Sequence, residues 1–164
     1  MIRSMLYATD LGVYAPYVLQ HALALARSFK ADLYVIHAVE PMGRFAESVL
    51  QSYLDAPAFR AFNDGGVTQV MANIERRVLQ SFREDLCDTG QDLALIRAVR
   101  VRQGDPAQVI LDQVNQLGVD LLVVGSRSGN QGAAHSIGRT AHRVLQLSTT
   151  PVYLVPEPGT ASEH

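Results

Sequence analysis

Short unbroken apolar runs alternate along this chain with longer stretches in which apolar residues return every three or four positions. Met5 to Thr9, Leu33 to Val39 and Leu121 to Val124 are of the first kind, the pattern of strands covered on both faces. Tyr14 to Phe29 is of the second kind, with Val18, Leu19, Ala22, Leu25, Ala26 and Phe29 on one face. So is the stretch from Val67, which carries Val70, Met71, Ile74, Val78, Phe82 and Leu86. Both spacings are helical. The opposite face of the second helix (Glu75, Arg76, Gln80, Arg83 and Glu84) reads as solvated, and Gly90 is expected to end it.

Leu93 to Arg102 reads as a third strand in which Val99 and Val101 alternate with Arg97, Arg100 and Arg102. A strand covered on both faces would not carry that charge, so this one belongs at a sheet edge. Asp105-Pro106 supplies an N-cap and a proline at the first helical position and is assigned no further role. The helix it starts runs through Val109, Ile110, Val114 and Leu117 to Gly118. After the fourth strand, Gly125, Gly129, Gly132 and Gly138 punctuate a loop. Ile137, Ala141, Val144 and Leu145 then resume helical spacing. Pro151 to Pro156 frames a last strand with proline at both ends, again an edge pattern. Residues 42–66 are a long insert, of which 46–54 suit a short helix. Residues 157–164 form a polar tail expected to be flexible.

Strand and helix alternate and the chain closes on a strand. This predicts one α/β domain over residues 1–156: a five-stranded parallel sheet with helices on both faces and right-handed crossovers. The third and fifth strands are the edge candidates, and the order 3-2-1-4-5 satisfies both. That order places a topological switch point between the first and fourth strands, and ligands of such sheets bind beyond the carboxyl ends of the strands there. Asp10 ends the first strand and Gly125 ends the fourth. The pattern therefore brings Asp10 beside a glycine loop that leads into a helix N-terminus, a natural anion site. Asp10 can also cap the turn that follows it. His37, inside the second strand, is expected to be a hydrogen-bonded core histidine.

Composition narrows the field. The chain has 164 residues, 48% of them hydrophobic, with a net charge of -2. That balance offers no basic surface for nucleic acid. The lone Cys87 excludes an internal disulfide and suits a reducing compartment. No apolar run is long enough to span a membrane, and the N-terminus lacks the layout of a signal peptide, so the cytoplasm is the expected location. No Walker A lysine, nucleophile elbow or metal-spaced Cys/His set is present. Catalytic residues and bound metal ligands are therefore not assigned.

YATDLG at 7–12, VIHAVEP at 35–41, GDPAQVI at 104–110 and VDLLVVGSRSG…IGRTAHRVLQLSTTPVYLVP across 119–156 resemble the universal stress proteins. The resemblance implies the same five-stranded sandwich and a homodimer formed through the last strand, here Pro151 to Val155. It also implies, for many members, a stably held ATP or other adenine nucleotide with slow hydrolysis at most, leaving room for Mg²⁺. Carried over by position, Ala8 and Asp10 match nucleotide contacts after the first strand, and Ala38 matches an adenine contact. Val124, Gly125 and Gly138 match ribose and phosphate contacts. Arg127, Arg139 and Thr140 join the candidate set through charge, hydroxyl and proximity, and Gly129 through a small register shift that would absorb Ser128. The nucleotide-binding branch carries G-x2-G-x9-G-[ST]. Gly125 and Gly138 keep the outer frame, but Ser128 stands at the inner glycine and Arg139 at the final hydroxyl position. Two readings follow: a nucleotide-binding regulatory dimer, or a nucleotide-free dimeric interaction protein whose pocket Ser128 and Arg139 close.

Overall fold

The computed structural model describes residues 1–40, 67–85, 90–126 and 137–158, together with Ser48, Ser52, Asp55 and Pro57. Most of the helix expected over 46–54, Leu86, Cys87 and the end of the tail lie outside these residues. The described elements run β1 (Ser4–Thr9), α1 (Ala15–Phe29), β2 (Asp32–Val39), α2 (Val67–Asp85), α3 (Gly90–Leu95), β3 (Ile96–Gln103), α4 (Pro106–Leu117), β4 (Leu121–Gly125), α5 (Arg139–Leu147) and β5 (Val152–Val155). All five strands pair in parallel in the order β3-β2-β1-β4-β5. The expected order and both expected edges are those observed.

The pleat explains why the inner strands are continuously apolar. In β1, Met5 and Tyr7 point into a core shared with α1 and α2, while Leu6 points into a second core with α4 and α5. β4 divides likewise, Leu121 and Val123 on the first side, Leu122 and Val124 on the second. Successive side chains of a strand face opposite ways, so a strand between two helical layers has no polar position to spare. Helix α1 packs through Val18, Leu19, Ala22, Leu23 and Ala26. Leu23 replaces Phe29 in that seam, and Phe29 is 43% exposed. In α2, Val78 and Phe82 are buried and Ile74 packs beside them.

Four expectations need correction. Gly90 does not terminate α2; it begins the short helix α3. The salt bridge from Arg27 at the end of α1 to Asp92 in α3, at 2.6 Å, ties these two helices together. β3 accordingly starts at Ile96, because Leu93 and Leu95 belong to α3 and face the first core. In α5 only Ala141 and Val144 are buried; Leu145 is 39% exposed, and Ile137, which precedes the N-cap, is 46% exposed. One side of that short helix meets the sheet, and the other two apolar residues lie outside the contact. Glu75 is not merely solvated either, since its carboxylate accepts a hydrogen bond from the backbone of Val101 in β3. The arginine row of β3 is committed to side-chain and backbone partners. Arg97 pairs with Asp32 at 3.2 Å and Arg100 donates to the buried Gln113.

Two local devices set the ends of elements. Asp105 caps α4 by accepting from the Gln108 amide, with Pro106 at the first helical position and Gly118 closing the helix at φ +62°. Asp120 precedes β4, and its Oδ2 accepts from the amides of Arg3 at 2.9 Å and Ser4 at 3.2 Å. Those backbone donors hold its carboxyl below the ordinary carboxylate range. The folded carboxyl is therefore the stronger acid. Its stabilisation is complete above the unfolded pKa and is lost as pH falls through the folded one. Asp120→Asn is expected to lower the urea midpoint at pH 7 and to lose that difference under strongly acidic conditions. Equal penalties at both pH values would contradict the account. Lys30 ends α1 at φ +53°, in the left-handed region. Lys30→Gly should raise stability by about 0.5–1 kcal/mol, read as a higher denaturation midpoint.

Candidate functional site

The turn after β1 is built from its own side chains. Thr9 Oγ1 accepts from the Leu11 amide at 3.0 Å, and Asp10 Oδ1 accepts from the Gly12 amide at 2.8 Å. Leu11 is consequently held at φ +58°. The chain then enters α1 through Gly12, whose missing Cβ would lie 3.0 Å from Asp10 Oδ1. Tyr7, buried beneath this turn, donates to the Ala15 carbonyl at 3.1 Å. Burial pushes its phenol well above the usual tyrosine value, so the hydroxyl stays protonated and available as a donor.

Next to this turn lies the end of β2. Thr9 pairs with His37 in register, and His37 Nδ1 sits 2.9 Å from the Thr9 carbonyl. A carbonyl can only accept, so Nδ1 carries the proton. The expectation of a hydrogen-bonded histidine holds, but His37 is half-buried and reaches cavity walls rather than sitting in the core.

On the other flank, Ala8 of β1 pairs with Val124 of β4. The Ser126 amide donates to the Val155 carbonyl at 2.8 Å, and the Ser126 carbonyl accepts from the Gly138 amide at 2.7 Å. The two ends of the glycine loop thus meet, and α5 starts at the end of β4. Gly138 occupies the N-cap of α5 with no side-chain cap. Gly138 therefore gives the first-turn amides of that helix none of the side-chain acceptor that a capping residue usually supplies.

These elements enclose a cavity of about 420 Å³ at the carboxyl end of the sheet, within the range of small-molecule sites. Of the candidate residues, Ala8, Asp10, Ala38, Val124, Gly125, Gly138, Arg139 and Thr140 all line it. Arg127 and Gly129, with Ser128, lie outside the described residues. Arg139 is exposed on the wall and has no ion-pair partner among the described residues. Asp10 and Glu40 add carboxylates elsewhere on the wall. The cavity is thus cationic at the start of α5, acidic near the β1 and β2 ends, and apolar at Ile36, Ala38, Ile110 and Val124.

Thr9, Tyr14, Glu40, Ser126, Pro106 and Ile110 also line the cavity and were absent from the candidate set. Pro106 corrects the reading of Asp105-Pro106 as capping alone: it starts α4 and forms part of the wall. The signal available for both Pro106 and Ile110 was position, since α4 begins directly after an edge strand at the same end of the sheet. No group of three or more His, Cys, Asp or Glu suited to a metal ion occurs among the described residues. Tyr7→Phe keeps the shape of the wall and removes one buried hydrogen bond. It should cost about 1 kcal/mol of stability by chemical denaturation.

Comparison with known proteins follows the same lines. A sequence model of the Universal stress protein family matches residues 1–156. The universal stress protein YxiE of Bacillus subtilis is 29% identical over 161 residues, covering 94% of this chain and 99% of that protein. Among solved structures, hypothetical protein MJ0577 superposes with a TM-score of 0.72 at 16% identity, covering 98% of this chain and 99% of its own. A universal stress protein solved in complex with cAMP superposes with a TM-score of 0.54 at 16% identity, covering 94% of this chain and 97% of its own.

Proposed function

The chain belongs to the universal stress protein family, and from that premise we propose that it is a regulatory protein that binds an adenine nucleotide in the cavity between β1 and β4. The observation that carries this reading is the N-terminus of α5. It has no side-chain cap and shares a cavity wall with Arg139 and Thr140. Helix N-terminal amides and a helix dipole favour an anion, and a guanidinium adds a fork of donors suited to phosphate. The cAMP complex of a structural neighbour supports the same class of ligand.

The phosphate end of the ligand sits at Gly138, Arg139 and Thr140. The base lies against Ala38 and Val124, whose small apolar side chains leave a flat surface. Asp10 offers the carboxylate oxygens not used by Gly12 to sugar hydroxyls. Asp10 and Glu40 are hard oxygen donors, of the kind Mg²⁺ takes beside phosphate. Binding would act by linkage, the ligand favouring one arrangement of the surface around it. The working protein is a homodimer joined through Pro151 to Val155; β5 is hydrogen-bonded to β4 on one side only among the described elements. The cytoplasm is its location. No described helix is long and apolar enough to cross a membrane.

Isothermal titration with ATP, ADP, AMP and adenosine tests the reading. The phosphorylated ligands should bind, and adenosine should bind more weakly. Gly138→Asp places a carboxylate at the cap, where φ of -61° accommodates it. It should stabilise the fold by a few tenths of a kcal/mol, by about the difference between Asp and Gly caps. It should also weaken phosphate-bearing ligands by about tenfold or more. Absence of heat with every nucleotide would leave the nucleotide-free dimer in its place.

A further inference from the structure

The two edges of the sheet are not equivalent. Among the described elements β3 is an edge strand, and in a parallel ladder every second residue turns its amide and carbonyl away from the neighbouring strand. An exposed row of such groups is a template for another strand. At Val101 both groups are already taken. Its amide donates to Glu75 Oε1 of α2 at 3.0 Å, and its carbonyl accepts from Arg102 Nη1 at 2.9 Å. Glu75 and Arg102 lie 3.5 Å apart. Carboxylate and guanidinium therefore form a closed ring with one residue of the edge, the carboxylate in the place of an incoming carbonyl and the guanidinium in that of an incoming amide.

We propose that the Glu75–Arg102 pair is a side-chain substitute for a neighbouring strand, closing the β3 edge to a second copy of this chain. Sheet-to-sheet association is then confined to the β5 edge. The consequence is a matter of symmetry. One self-complementary edge gives a closed pair, whereas two usable edges on the same sheet allow open-ended growth. Charge alone is a weaker device, because an arginine row repels a copy only until salt screens it. Occupied donors and acceptors persist at any ionic strength. Arg97 and Arg100 add to the barrier by holding their own partners, Asp32 and Gln113, near the same edge.

The test compares the wild-type chain with Glu75→Ala/Arg102→Ala by sedimentation velocity over a wide concentration range at high salt, with folding checked by circular dichroism. The double variant should form species larger than the wild-type assembly, growing with concentration. Glu75→Gln keeps an acceptor for the Val101 amide and should stay closer to wild-type size. A folded double variant with wild-type mass at every concentration would overturn the proposal. Amide exchange supplies a second readout on the unaltered protein. Val101 should exchange slowly in the wild-type chain and about tenfold faster in Glu75→Ala, the loss expected for one charge-assisted hydrogen bond. Fast exchange at Val101 in the wild-type chain would overturn the proposal without any variant.

Discussion

The pairing of β1 with β4 is the constraint on which the rest depends. Ala8 lies opposite Val124, and the two strands come from distant parts of the chain. From β1 the connection to β2 runs through α1 on one face of the sheet, whereas the connection from β4 to β5 runs through α5, whose buried Val144 packs in the core on the other face. The chain thus departs in opposite directions from two adjacent strand ends, and a crevice opens between them. The buried apolar residues of β1 and β4 hold both strands at the centre, where any polar side chain would need a partner.

That crevice acquires chemistry because its two rims are built differently. The β1 rim uses side chains on its own backbone: Thr9 and Asp10 accept from Leu11 and Gly12, fixing a tight turn. The α5 rim does the reverse, leaving the first-turn amides without a side-chain cap at Gly138. One rim has its donors satisfied and shows carboxylate oxygens; the other offers donors and a guanidinium. A ligand with hydroxyls or amines at one end and phosphate at the other matches this polarity. Away from the crevice the same contrast recurs in the sheet edges, where Glu75 and Arg102 occupy the backbone of β3.

Strand order was legible because only two strands carried edge marks, the arginine alternation of β3 and the flanking prolines of β5. The position of the cavity followed from that order, and with it the roles of Asp10 and Gly125 as neighbours. Less could be read where tertiary contact overrides local pattern. Gly90 looks like a helix stop but opens α3, held by the Arg27–Asp92 bridge that no local spacing reveals. Glu75 sits at a solvated position of its helix, and only the approach of β3 gives it a backbone partner. Pro106 was legible as a helix start; its place in the wall required knowing where β3 ends. Ile137 and Leu145 share helical spacing with the core, yet Ile137 precedes the N-cap of α5 and Leu145 lies off its buried side.

The most direct measurement of the central claim is an NMR titration of the labelled chain with AMP, following backbone amides. The account predicts that Ala8 to Asp10, Ala38, Gly125 to Ser126 and Gly138 to Thr140 shift together along one binding curve, because a single ligand spans both rims. Shifts confined to Ile74 through Phe82, or no shifts at saturating AMP, would contradict it.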